Sequence, residues 1–81
     1  MSGLRVTVKL LATYRRHLPA GTKGAYQPPV RSDATVRELL AQLPLPPEDA
    51  KVVLVNGRGA PPDQVLREGD VVAIFPAIAG G

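Results

Sequence analysis

The sequence lacks the residues on which several classes of functional site depend. It contains no cysteine, which excludes a disulfide framework, a thiolate nucleophile and a cysteine-based metal site. His17 is its one histidine, so a histidine cluster for zinc is excluded as well. We therefore predict no metal site in this chain.

Long apolar runs and aromatic residues are also scarce. No apolar stretch approaches the roughly 20 residues of a membrane span, and no apolar segment follows a basic start, so we expect no membrane partner and a cytoplasmic location. The net charge of +3 is compatible with nucleic acid as a partner. However, Arg15-Arg16-His17 is the one basic cluster, and two tyrosines and one phenylalanine offer little surface for base stacking. The pattern disfavours nucleic acid.

A constellation for catalysis is missing too. A hydroxyl nucleophile needs an activating base and an orienting group, and His17 is the one candidate base of that kind. The carboxylates lie at turns or helix starts, where capping of backbone N–H groups accounts for their presence. An 81-residue chain also has little room for a deep pocket. We predict that the chain is not an enzyme by itself.

What the first half of the sequence does contain is a strand pattern followed by helical and loop signals. Leu4 to Leu10 alternates apolar and polar residues, which predicts a strand with one buried face. Leu11 to Leu18 loses this alternation and favours one or two helical turns. Ala25 to Arg31 is predicted as an edge strand, because Pro28 and Pro29 cannot donate hydrogen bonds to a ladder.

One amphipathic helix is predicted over Ser32 to Leu43. Thr35 and Glu38 have the spacing of a capping box, and Pro44 ends the helix because the residue before a proline disfavours helical dihedral angles. Four residues form its apolar stripe at helical spacing: Val36, Leu39, Leu40 and Leu43.

The second half of the sequence predicts a hairpin and a final strand. Lys51 to Val55 and Arg58 to Ala60 are joined by Asn56-Gly57, a two-residue hairpin turn. After a turn at Gly69-Asp70, the apolar run Val71 to Phe75 predicts a strand that is buried on both faces and lies in the middle of the sheet, beside the first strand. One helix on one face of a mixed sheet gives an α+β architecture.

The chain ends in Gly80-Gly81, the last residues of a tail that follows this strand directly and begins with the stiff residue Pro76. Two glycines have no side chains, so a tail that ends in them can enter a channel too narrow for other residues, and its carboxylate can be activated by adenylation. The alternative is that Gly80-Gly81 is only a frayed end, which is common for chain termini. The context of an apolar strand and a proline exit favours a functional tail.

The sequence resembles the MoaD/ThiS sulfur-carrier family over nearly its whole length. The segments that carry the resemblance are Lys9 to Arg15, Ala34 to Leu40, Val53 to Arg58, and Leu66 to Pro76 together with Gly80-Gly81. Lys9 to Arg15 resembles the first strand and short helix of the molybdopterin-synthase small subunit. The resemblance implies a ubiquitin-like β-grasp fold, with a mixed sheet of four to five strands packed on one main helix. We expect a single domain over residues 1–81, with residues 76–81 as a projecting, flexible C-terminal tail.

The resemblance also implies a carrier rather than an enzyme. An E1-like enzyme would adenylate Gly81 with ATP and Mg²⁺, a thiocarboxylate would form there, and Gly80 would give access to partner active sites. The chain itself would bind no cofactor. The sulfur acceptor would be a large molybdopterin-synthase-type subunit or another protein. The implied partner-binding residues are Val71, Ala73, Phe75, Pro76, Ala77, Ile78 and Ala79.

Several alternatives stay open. Val71, Ala73 and Phe75 share one face of the last strand and Val72 and Ile74 the other, and the pattern does not say which face meets the helix. The N-terminal helix favours synthesis of molybdopterin, the molybdenum or tungsten cofactor, and this is the pathway that we predict. The shortened region Pro44 to Pro47 leans instead towards carriers for thiamine thiazole synthesis or less characterised relatives. A ubiquitin-like modifier that forms isopeptide bonds through Gly81, or a binding module with an inert tail, would share the same fold.

Overall fold

The computed structural model describes residues 3–17, 27–45 and 50–77. Their order of strands and helices is the one predicted for an α+β domain. The elements are β1 (Gly3–Arg5), β2 (Thr7–Leu10), a 3-10 helix (Ala12–His17), β3 (Pro29–Arg31), α1 (Val36–Ala41), β4 (Lys51–Val55), β5 (Arg58–Gly59) and β6 (Val71–Pro76).

The last strand lies inside a four-stranded sheet of order β2-β6-β4-β5. It runs parallel to β2, with Val8 beside Val72, and antiparallel to β4, with Val53 beside Ile74. A separate antiparallel ladder joins β1 to β3. The predicted central position of the final strand, next to the first, is therefore confirmed.

The predicted first strand is interrupted at Val6. Its backbone changes partner there, from β3 before Val6 to β6 after it. Arg5 is held at the break by two bonds to the turn before β6: its N–H donates to Glu68 Oε1 at 2.8 Å, and its C=O accepts from the Gly69 N–H at 2.7 Å. The alternation in burial continues across the break, since Val6, Val8 and Leu10 are completely buried.

Helix α1 is shorter than the predicted span from Ser32 to Leu43. Asp33 has a φ of 69°, outside the helical region, so the helix begins only after Thr35. The capping box is confirmed, because the Thr35 hydroxyl accepts from the Glu38 N–H at 3.3 Å and Glu38 Oε1 accepts from the Thr35 N–H at 2.9 Å. The helix ends at its C-cap, Gln42.

The core lies between α1 and one face of the sheet. From the predicted stripe of the helix, Val36, Leu39 and Leu43 are buried, while Leu40 is partly buried and packs against the core. Leu66, in the segment before β6, closes the core near the start of the helix, where its N–H donates to the Ala34 C=O at 2.8 Å.

The two remaining predicted elements differ in detail. The segment after β2 forms a 3-10 helix in which Tyr14 is buried, while Leu11, just before this helix, is 39% exposed; Leu18 lies outside the described residues. The predicted second strand is reduced to β3. Among the described residues β3 pairs only with β1, so it is an edge strand, as Pro28 and Pro29 predicted. Residues 25 and 26 of that prediction are not among the described residues.

Candidate functional site

The two faces of β6 have different surroundings. Val72 and Ile74 are completely buried and belong to the core under α1, whereas Val71, Ala73 and Phe75 are half-buried on the opposite face. The prediction that this strand is buried on both faces is therefore wrong. One helix packs on one face of the sheet, and the apolar residues on the other face keep part of their surface in solvent.

The half-buried residues of β6 continue into an apolar surface across the sheet. Residues paired across neighbouring strands share a face, so Val52 lies beside Phe75 and Leu54 beside Ala73, while Lys9 flanks Ala73 on the β2 side. We call this surface the open face. Its members are Thr7, Lys9, Val52, Leu54, Val71, Ala73 and Phe75. Its centre is apolar, and its β2 edge carries the exposed cation of Lys9.

The backbone stays hydrogen-bonded to the sheet past Pro76, the residue at which the tail was predicted to leave the domain. Pro76 is the last residue of β6 and pairs with Lys51, and the Ala77 N–H donates to the Ala50 C=O at 2.9 Å. Pro76 therefore belongs to the strand rather than to the projecting tail. The remaining predicted site residues, Ile78, Ala79, Gly80 and Gly81, lie outside the described residues, and their roles stay predictions.

A hydrogen-bond network at the other end of β6 escaped the sequence analysis. The Asn56 side chain accepts from the Val71 N–H at 3.0 Å and donates to Asp70 Oδ1 at 2.9 Å, and Asp70 Oδ2 accepts from the Arg67 N–H at 2.8 Å. The hairpin turn itself is confirmed, with φ of 53° at Asn56 and 85° at Gly57. Because 14 residues separate Asn56 from Asp70, no local pattern could indicate their contact.

The charged groups of the helix cap lie apart from this site. The hydrogen bond from the Thr35 backbone N–H lowers the pKa of the Glu38 carboxyl, and the Arg31 guanidinium, which forms an ion pair with Glu38, lowers it further. Within residues 3–17, 27–45 and 50–77, no three His, Asp or Glu side chains are grouped so that they could hold a metal ion. No helix in those ranges is long and apolar enough to cross a bilayer.

The N-terminal strand β2 lies beside the last strand, β6, in a mixed sheet, and one capped helix packs on one face of that sheet. This arrangement defines a ubiquitin-like β-grasp protein. The ThiS family model matches residues 8–81, and the chain belongs to this family. The family predicted from the sequence motifs is therefore confirmed, together with the β-grasp fold. A search of curated protein sequences gave no significant match.

Solved structures of three archaeal proteins share the fold over almost the whole chain. The putative molybdopterin converting factor, subunit 1, of Pyrococcus furiosus has 27% sequence identity and a TM-score of 0.75, covering 93% of this chain and 99% of that one. SAMP1 of Haloferax volcanii has 26% identity and a TM-score of 0.70, with coverages of 95% and 99%. The Haloferax volcanii HVO 2177 protein has 27% identity and a TM-score of 0.72, with coverages of 99% and 89%.

Proposed function

We propose that the protein is a sulfur carrier in which Gly81 holds the sulfur. The carboxylate of Gly81 attacks the α-phosphate of ATP in an E1-like enzyme, which supplies the Mg²⁺ site and releases pyrophosphate. A sulfide-equivalent nucleophile then displaces AMP from the acyl adenylate and leaves a thiocarboxylate. The observation that carries this proposal is the match of the ThiS family model through residue 81, which includes Gly80 and Gly81.

The position of β6 supports a carrier role. Hydrogen-bonded ladders hold β6 on both sides, along β2 and along β4, and the bond from Ala77 to Ala50 extends this support beyond the strand. A tail anchored in this way can extend into a partner active site while its base keeps its place in the sheet. Gly80 and Gly81 have no side chains that would obstruct a narrow channel.

The open face supports docking of a larger partner. Phe75, with Val52 and Leu54 beside it, gives an apolar centre close to the base of the tail. We propose that the E1-like enzyme, and the larger sulfur-accepting subunit after it, contact this face while Gly81 occupies their active sites. The chain itself then needs no catalytic residues and no bound cofactor, because its partners supply both.

The direct test is intact-mass measurement. The full chain, incubated with its E1-like enzyme, ATP, Mg²⁺ and a sulfur source, should gain the mass that corresponds to replacing one oxygen by sulfur. Deletion of Gly81 should abolish the gain. A matched glycine change, Gly59→Ala, should leave it intact, because a Cβ at Gly59 would meet nothing within 4 Å. An unchanged mass in the wild-type chain, or an equal gain after deletion of Gly81, would contradict the proposal.

We favour molybdopterin synthesis as the pathway that receives the sulfur. The fold matches the putative molybdopterin converting factor, subunit 1, over almost the full length of both chains. The test is to supply the thiocarboxylated chain to a molybdopterin-synthase large subunit and, separately, to a thiazole synthase. Sulfur transfer to the thiazole synthase alone would assign the protein to thiamine synthesis instead.

A protein-modifier role is the second candidate, because the ubiquitin-like fold is shared with SAMP1. In that reaction the amine of a lysine on another protein displaces AMP from the Gly81 adenylate and forms an isopeptide bond. Trypsin cleaves after Arg67, the last basic residue of the chain, so a modified lysine would carry the peptide Glu68 to Gly81. Such branched peptides, detected by mass spectrometry of cells and absent when the chain is deleted, would support modification. Their absence alongside a thiocarboxylate would leave the carrier role alone.

A further inference from the structure

A pocket of about 760 Å³ opens at the end of the sheet where β6 begins. It lies between the edge strand β5 and the segment that leads into β6, and we call it the β5 pocket. The residues on which the argument rests are Asn56, Arg58, Gly59, Val65, Arg67 and Asp70. From there β6 runs away from the pocket for six residues, so its last residue, Pro76, lies about 20 Å from its start.

The cations of the β5 pocket have no partners within the described ranges. Arg58 and Arg67 are both exposed, and neither guanidinium forms an ion pair or hydrogen bond with a side chain that the structure describes. Asp70 is the one carboxylate among the described lining residues, and both of its oxygens already accept bonds, from Asn56 and from the Arg67 N–H. The two guanidinium groups outweigh the single carboxylate of Asp70, so the described lining of the pocket carries a net positive charge.

The backbone of β5 offers a second recognition feature. In a two-residue hairpin the flanking residues, Val55 and Arg58, form a hydrogen-bonded pair, so the next residue, Gly59, directs its N–H and C=O away from β4. The following bond, from the Ala60 N–H to the Val53 C=O at 3.1 Å, fits this alternation. β5 is the edge of the sheet, and none of the described segments pairs with its outer side. An extended peptide could form a β-bridge with Gly59 there.

Val65 adds an apolar contact at the same place. It is 48% exposed, and Leu11 is the one other large apolar side chain that is exposed among the described residues. The pocket thus combines an apolar side chain, an open strand edge and two arginines within one concave surface.

We infer that the β5 pocket docks an acidic, extended segment of a partner protein, with carboxylates on both sides of an apolar residue. The segment pairs with the edge at Gly59, its carboxylates bind the guanidinium groups of Arg58 and Arg67, and its apolar residue packs on Val65. This interaction leaves the tail free, so a partner can stay bound at the β5 pocket while Gly81 is activated elsewhere. The inference does not depend on the sulfur chemistry.

The test is a titration of the ¹⁵N-labelled full chain with a synthetic peptide, acetyl-Glu-Asp-Leu-Asp-Glu-amide. The amide signals of Arg58, Gly59 and Val65 to Asp70 should shift, and those of Leu39 to Ala41 in α1 should not. Arg58→Gln and Arg67→Gln should each raise the Kd about two- to fivefold, the range expected for one exposed ion pair. Arg37→Gln, which removes an equal charge on the exposed side of α1, should leave the Kd unchanged.

Three results would overturn the inference. The first is equal binding of a peptide in which Gln and Asn replace Glu and Asp. The second is a set of shifts spread over all basic residues. The third is a stronger shift of the same amides by a hexathymidine oligonucleotide at equal concentration, which would assign the pocket to nucleic acid. Deletion of Gly80 and Gly81 should leave the peptide titration unchanged, so failure of the sulfur-carrier proposal and failure of this one are distinguishable.

Discussion

Asp70 and Asn56 connect the start of β6 to the tip of the β4–β5 hairpin. The Asn56 backbone adds to the side-chain network, since its N–H donates to the Val71 C=O at 2.8 Å. One amide side chain therefore bonds both to the first residue of β6 and to the turn before it. The network fixes where the central strand begins, and with it the register of the sheet.

Removing the Asp70 carboxylate should destabilise the fold. Asp70→Ala eliminates two hydrogen bonds, and we expect the free energy of unfolding to fall by about 1–2 kcal/mol. The measurement is urea denaturation followed by circular dichroism. Asp63→Ala is the matched control, because Asp63 is exposed and its side chain forms no hydrogen bond within the described residues; it should change stability little. Equal effects of the two variants would contradict the network's role.

Glu38 should make part of the stability depend on pH. Its folded-state pKa is lowered by the Thr35 N–H bond and by Arg31, so the unfolded chain binds the proton more readily. The stabilisation is present above the unfolded pKa of about 4.3 and is lost as the pH falls through the lower folded value. The unfolding free energy of wild type should exceed that of Glu38→Gln at pH 6, and the difference should shrink at pH 3.

At the scale of the elements, β6 combines a face that packs in the core with the open face that we propose as the docking surface. Ile74 is completely buried against the core, while Phe75, its neighbour in sequence, lies on the open face and is half-buried. Side chains alternate along a strand, so one apolar run supplies both the core and an apolar surface near the tail.

Substitutions on the two faces of β6 should therefore have different effects. Ile74→Ala should lower the free energy of unfolding by about 2–5 kcal/mol, because it leaves a cavity in the core. Phe75→Ala should cost less stability but should weaken binding of the E1-like enzyme by about tenfold or more, as expected for an aromatic residue at the centre of an interface. Urea denaturation and calorimetric titration measure the two quantities.

A control for the docking effect is available on the helix side of the domain. Val65 is 48% exposed and pairs with Thr35 at the start of α1, so it lies outside the open face. Val65→Ala shortens an exposed apolar side chain and should leave the affinity for the E1-like enzyme unchanged. Equal losses of affinity for Val65→Ala and Phe75→Ala would show that the open face is not the docking surface.

At the scale of the whole molecule, folding and sulfur transfer should be separable. β6 ends at Pro76, and the Ala77 N–H adds a hydrogen bond to the Ala50 C=O, so the described ladder holds the chain up to Ala77. Deletion of Gly80 and Gly81 should leave the midpoint of urea denaturation unchanged while it abolishes the thiocarboxylate. If the truncated variant were less stable than wild type, the tail would pack on the domain. The loss of the thiocarboxylate in that variant would then have a structural cause.

Features that depend on residues close in sequence were predicted well. The capping box of Thr35 and Glu38, the Asn56-Gly57 turn and the burial of Val6, Val8 and Leu10 all follow from local hydrogen bonding or from the two-residue period of a strand. The ends of α1 were not predicted, because the positive φ of Asp33 belongs to the turn that joins β3 to the helix.

Features that depend on distant residues came only from the tertiary structure. The break at Val6 requires the turn at Gly69, and the network of Asn56 requires Asp70. The face of β6 that meets the helix was undecided because both of its faces are apolar in sequence. For the candidate site, the sequence placed Val71, Ala73 and Phe75 together on one face, and the structure added Val52, Leu54 and Lys9 from the neighbouring strands.

The sequence by itself determined the family, the order of the elements and the central place of the last strand in the sheet. Turn type, capping and the period of apolar residues depend on residues close in sequence, so they can be predicted without knowing the distant contacts. The tertiary structure decided that Val72 and Ile74 enter the core, that Pro76 stays in the strand, and that Arg58, Arg67 and Val65 share one pocket. These outcomes depend on which strands become neighbours, and that is fixed only when the whole sheet closes over its helix.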